Sequence, residues 1–162
     1  MELDCLAAQA WRQALSQETS LALAMGREAA EVLAAISAAG DECQIVAECA
    51  RDATRQISEA TSIGDSFRLP LTPDRVSATS LFWQTQAAMA DAADRDGLEA
   101  SLLPILALHA SRVAFQWELI AQLAIRSGLP DVVDLLTKAA EQRRRISQRI
   151  EAARAKSSSE GE

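Results

Sequence analysis

The sequence predicts an all-α fold, an antiparallel bundle of four to five helices, and three observations carry that reading. Alanine fills 33 of 162 positions, the strongest helix former present at about one residue in five. Glycine and proline number only 6 and 4, too few for a fold built on tight β-turns. Apolar residues recur every three or four positions over long stretches, the period of a helix with one buried face. The length suits one domain or two helical hairpins packed together.

The first helix is expected over residues 3–38. Leu3, Ala7, Ala10 and Ala14 step by four, three and four, and Leu21, Met25, Ala29, Val32 and Ile36 continue the face. Gly26 is a weak point within it, and Gly40 reads as the stop. Asp41 then serves as an N-cap with Gln44 three positions on, a capping box opening a second helix. Its face is Val46, Cys49, Ala53, Ile57, Ala60 and Ile63, and Gly64 is expected to end it. A short link favours an antiparallel hairpin. The first helix, being longer, must overhang the second or meet another element.

Residues 64–72 read as a linker, because Pro70 bars helix at its predecessor and Thr72-Pro73 supplies an N-cap and an N1 proline. A third helix is expected over residues 73–95, closed by Asp96-Gly97. A fourth, over residues 98–127, either kinks at Pro104 or becomes regular there; Leu106, Ala110, Val113, Trp117, Ile120 and Ala124 form its seam. Gly128 stops it, and Pro130 opens a fifth whose stripe is Val132, Leu136, Ala139, Ile146 and Ile150, interrupted by Arg143. The division expected is a hairpin over residues 1–66, a three-helix part over 73–156 in the same or a second bundle, and a disordered tail over 157–162.

Composition also narrows function. The formal net charge of −7 resides in residues 1–65, which hold 11 acids against 4 Lys/Arg, while the remainder balances. An acidic chain has no general grip on phosphate backbones, so nucleic acid is not an expected partner. The basic run Arg143-Arg144-Arg145, with Arg149, Arg154 and Lys156, reads as a solvated helix end near the C-terminus. The acidic start Met1-Glu2-Leu3-Asp4 lacks a signal-peptide pattern, and no apolar run approaches a membrane span, so a cytoplasmic location is expected. Three cysteines without C-x-x-C spacing suggest buried thiols rather than disulfides or zinc.

Reactive groups are sparse. His109 is the sole histidine, with Ile105, Leu106, Arg112 and Val113 as helical neighbours, which suits a structural role. No nucleophile elbow or glycine-rich phosphate cradle is present. Neither catalytic residues, metal ligands nor a cofactor are expected. What remains is work done by apolar helix faces, with Leu21, Met25, Val32 and Ile36, together with Val46, Cys49 and Ile57, as the face offered to a hydrophobic surface or to partner helices.

The second helix is the most distinctive text. Glu48-Cys49-Ala50-Arg51, Ile57-Ser58-Glu59-Ala60 and Ile63-Gly64-Asp65, with Trp11, Glu18, Leu33-Ala34-Ala35-Ile36 and the proline link after Arg68, resemble the phasin family over residues 5–72. That resemblance implies a non-enzymatic, oligomeric, amphipathic coat on polyhydroxyalkanoate granules, and a homo-oligomer. A weaker likeness ties Leu108-His109, Gln116-Trp117-Glu118, Gly128, Leu135-Leu136 and Glu141 to the last two helices of ferritin-like bundles. There the implied metal chemistry lacks ligands, since Leu106 stands three before His109 and no second histidine exists. A degenerate ferritin-like bundle or a generic helical interaction module is therefore the alternative.

Overall fold

The computed structural model describes residues 2–38, 44–72 and 95–160. Four helices make up this part: α1 (Glu2–Ala38), α2 (Gln44–Phe67), α3 (Arg95–Arg126) and α4 (Pro130–Glu160). No strand occurs among the described residues. The fold is thus all-α, as composition and periodicity predict. The expected capping residue Asp41, the stop at Gly40 and residues 73–94 of the expected third helix lie outside the described residues, whereas Asp96-Gly97, expected to close that helix, lie within α3.

The contacts fix the helix directions. In α1 and α2, Gln56 Nε2 donates to the Ala22 carbonyl at 2.8 Å, Arg12 to that of Phe67, and Gly26 abuts Ala53 and Ile57. Contacts that rise along one helix while falling along the other define an antiparallel hairpin. By the same logic α3 opposes α1: Arg126 lies over Trp11, while Leu102 and Leu106 share a core with Leu33 and Ile36. Glu118 meets Arg144 across α3 and α4, and Glu48 meets Arg149 while Glu59 meets Arg143 across α2 and α4. Among the described residues the helix order is up, down, down, up.

Helix ends follow two identical motifs. After α3, Gly128 N–H donates to Ile125 O at 3.1 Å and Leu129 N–H to Ala124 O at 3.1 Å, a Schellman cap with Gly128 at φ 72°. After α2, Arg68 N–H reaches Asp65 O and Leu69 N–H reaches Gly64 O at 2.9 Å, the same cap with arginine at φ 51°. Gly64 therefore lies inside α2 instead of ending it. Its lack of a side chain admits Leu71, whose Cδ1 would stand 2.5 Å from an added Cβ. The linker is docked: Arg12, Ser16 and Ser20, one per turn of α1, bond to Phe67 O, Pro70 O and Thr72 N–H respectively.

Two other expectations change. α3 passes through Pro104 without interruption, starting at Arg95. α4 runs to Glu160, over residues expected to form the tail, with an Arg154–Glu151 pair and a Ser159 bond to Lys156 O along its last turns. The basic run is consequently mid-helix and not a helix end. Arg143 is buried, while Arg144 and Arg149 reach across to Glu118 and Glu48.

The apolar core has two clusters, each fed by all four helices. One gathers Leu15, Leu23, Ile63, Trp117, Ile120 and Leu136; the other gathers Leu33, Ile36, Val46, Leu106, Ile146 and Ile150. Between them lies a polar layer.

Candidate functional site

The polar layer is built by the same helical spacing that builds the core. On α2, Asp52 and Gln56 are four apart on the face that carries Cys49, Ala53 and Ala60, and both are buried. On α4, Arg143 falls in the stripe between Ala139 and Ile146, so the helix has no choice but to bury it, at 2% exposure. α3 contributes His109, half-buried, and Trp117, fully buried.

Arg143 organises the layer. Its Nη1 donates to Glu59 Oε2 at 2.8 Å and to the Ala139 carbonyl at 3.2 Å. Its Nε stands 3.6 Å from Asp52 Oδ2, a Coulombic pair without a direct hydrogen bond. The guanidinium carbon lies 4.3 Å from the centroid of the Trp117 ring, a cation–π contact inside the core. Two carboxylates from α2 thus face one guanidinium from α4, and the aromatic ring of α3 closes the arrangement.

The low-dielectric setting shifts both neighbouring titratable groups. Burial pushes the Asp52 carboxyl above its ordinary range, with the Arg143 charge pulling the other way and losing. Burial, reinforced by the like charge of Arg112, lowers His109 to about 4, so its imidazole is neutral at pH 7. Cys49, Asp52, Gln56, His109 and Arg143 line one cavity of about 20 Å³. Such a volume admits one water and nothing larger. Among the described residues no three His, Cys, Asp or Glu side chains converge as metal ligands. The positive charge between the acids belongs to Arg143.

The residues that the sequence marks as a binding face are placed differently from one another. Val32, Ile36, Val46 and Cys49 are all buried in the second apolar cluster, where α1, α2, α3 and α4 meet. Met25 and Ile57 are half-buried against the first. Only Leu21 is exposed, at 43%. The expected face is therefore divided, and most of it packs against the chain's own helices instead of being offered outward, because four amphipathic helices satisfy one another.

Exposed apolar surface lies elsewhere. Residues 3–10 of α1 are exposed, and among the described residues helix contacts begin at Trp11, whose ring sits under Arg126. The projecting turns, Leu-Asp-Cys-Leu-Ala-Ala-Gln-Ala, are mostly apolar, with Leu3 at 81% and Leu6 at 62% exposure. Leu108, Phe115, Ile125 and Leu135 are scattered over α3 and α4, and Phe115 lines a groove of about 380 Å³ between those helices. Sequence reasoning missed Asp52, Gln56 and Arg143 as core residues. The interruption of the α4 stripe at Arg143 was the available signal. No helix among the described residues is long and apolar enough to cross a membrane. No family model matches this chain, and neither does any curated protein or solved structure.

Proposed function

We propose that this chain is a non-catalytic, phasin-like helical protein that attaches to a hydrophobic surface, the polymer of a storage granule, through the projecting N-terminal end of α1. The observation that carries the reading is the overhang, in which Leu3 and Leu6 stand exposed beyond the first bundle contact at Trp11. A leucine moved from water to an apolar phase gains about 1.5–3 kcal/mol, so two leucines with flanking alanines give weak, reversible adsorption. The bundle behind them stays closed, its amphipathic faces already used. The likeness of residues 5–72 to phasins supports the choice of polymer over other greasy surfaces.

The test is co-sedimentation of the purified full chain with polyhydroxybutyrate particles. The parent should sediment with the particles, and a Leu3→Asp, Leu6→Asp variant should bind at least about tenfold less, since each aspartate replaces a favourable transfer with an unfavourable one. Equal binding of the two proteins overturns the reading. A second reading, a ferritin-like bundle, is favoured by the up-down-down-up order of the described helices and by two acids facing Arg143. Stoichiometric iron in protein purified under iron supplementation would select it over the phasin-like reading.

A further inference from the structure

Three atoms of Asp52 and Arg143 are buried with no hydrogen-bond partner among the described residues: Asp52 Oδ1 and the Nε and Nη2 of Arg143. Leaving such groups unmatched costs about 1–3 kcal/mol each, more where charge is involved, so native interiors rarely do it. Asp52 and Arg143 both line the cavity of about 20 Å³, and Gln56 and His109 line it with them. The guanidinium offers two N–H donors, and the carboxylate oxygen offers an acceptor. A single species that accepts from one and donates to the other satisfies all three atoms, and one water matches that volume and that valence.

We infer that a single structural water binds between Asp52 and Arg143 in the centre of the bundle and completes the link between α2 and α4. Arg143 Nε stands 3.6 Å from Asp52 Oδ2, too long for a direct bond. A bare halide would accept from Arg143 but has nothing to donate to Asp52 Oδ1. This inference concerns the interior and stands apart from the surface role of α1.

Two measurements on the full chain test it. In solution, the Arg143 Nε–H resonance should show a cross peak to water. In crystals grown with and without bromide, one oxygen-sized peak should lie within hydrogen-bond reach of Asp52 and Arg143, without anomalous signal. An anomalous bromide peak at the site, a direct Asp52–Arg143 bond with no density between, or absence of the cross peak would each overturn it. Ala110 also lines the cavity. Ala110→Ser puts a hydroxyl in the space and should displace the water while leaving the unfolding equilibrium within a fewfold of the parent. Ala110→Val puts a methyl there, strands the same atoms and should raise the unfolding constant about tenfold or more. Equal effects of Ser and Val would also overturn it.

Discussion

His109 and Asp52 line one cavity, yet their titrations act on stability with opposite signs. The unfolded chain takes up a proton on histidine near pH 6.5, whereas folded His109 does so only near 4, so the unfolded state holds more protons across that window. Acidification from pH 6.5 toward 4 should therefore cost roughly 3 kcal/mol through this residue, with no effect above that window. Asp52, whose carboxyl is raised above 3.8, holds its proton to higher pH when folded, so falling pH favours the fold through it. Urea unfolding of parent and His109→Gln at pH 7 and pH 4.5 separates the two: the parent should lose stability on acidification, and the variant should lose clearly less. Equal losses would contradict an imidazole held neutral in the fold. Arg143 is the second test at this scale. Arg143→Met leaves Asp52 buried without its cation and should cost roughly 3 kcal/mol, whereas adding Asp52→Leu should restore most of that, because a well-packed apolar pair replaces a buried ionic one with little loss. Chemical denaturation of the single and double variants measures both.

At the level of elements, two caps of identical bonding end in different residues, and the difference is measurable. Gly128 occupies its left-handed conformation without penalty, while Arg68 at φ 51° pays the steric cost of its Cβ. Arg68→Gly should raise stability by about 0.5–1 kcal/mol, and Gly128→Ala should lower it by about 1 kcal/mol, read as opposite shifts in thermal midpoint. These caps also show what could be read in advance. Gly128 with Pro130 after it was legible as the α3–α4 turn, since both residues have local conformational preferences that announce it. The end of α2 was not, because arginine gives no sign of adopting positive φ, and the nearby Gly64 drew the boundary three residues early. That glycine answers to Leu71, a contact across a turn that periodicity does not encode. Arg143 fell between these cases: its place in the α4 stripe was visible, but its acids lie on α2, and only the helix order brings them together.

For the whole molecule, the helical stripes marked apolar faces. The hairpin face, expected to meet an outside surface or partner helices, packs for the most part against the chain's own α3 and α4 in the fold. Val32, Ile36, Val46, Cys49 and Ile57 form a coherent surface on the α1–α2 hairpin, and nothing local distinguishes an outside polymer from the chain's own α3 and α4 as the body that covers it. The unequal helix lengths were more informative, since α1 with 37 residues against 24 in α2 requires an end without hairpin support. That end is residues 3–10, exposed throughout. Short helical segments without tertiary packing are marginal in water, so these turns should open readily in the free protein. Attachment to polymer then has two structural routes with distinct signatures in amide hydrogen exchange. If the overhang makes the contact, amides of residues 3–10 exchange fast in solution and slow on particles, while residues 46–57 stay protected in both states. If instead the bundle opens to offer the buried hairpin face, residues 46–57 lose protection from α3 and α4 and their exchange changes most. The closed core predicts the first pattern, because opening would expose both apolar clusters and the Arg143 layer together. Removing residues 2–10 should accordingly abolish particle binding, yet leave the thermal midpoint within a few degrees of the full chain.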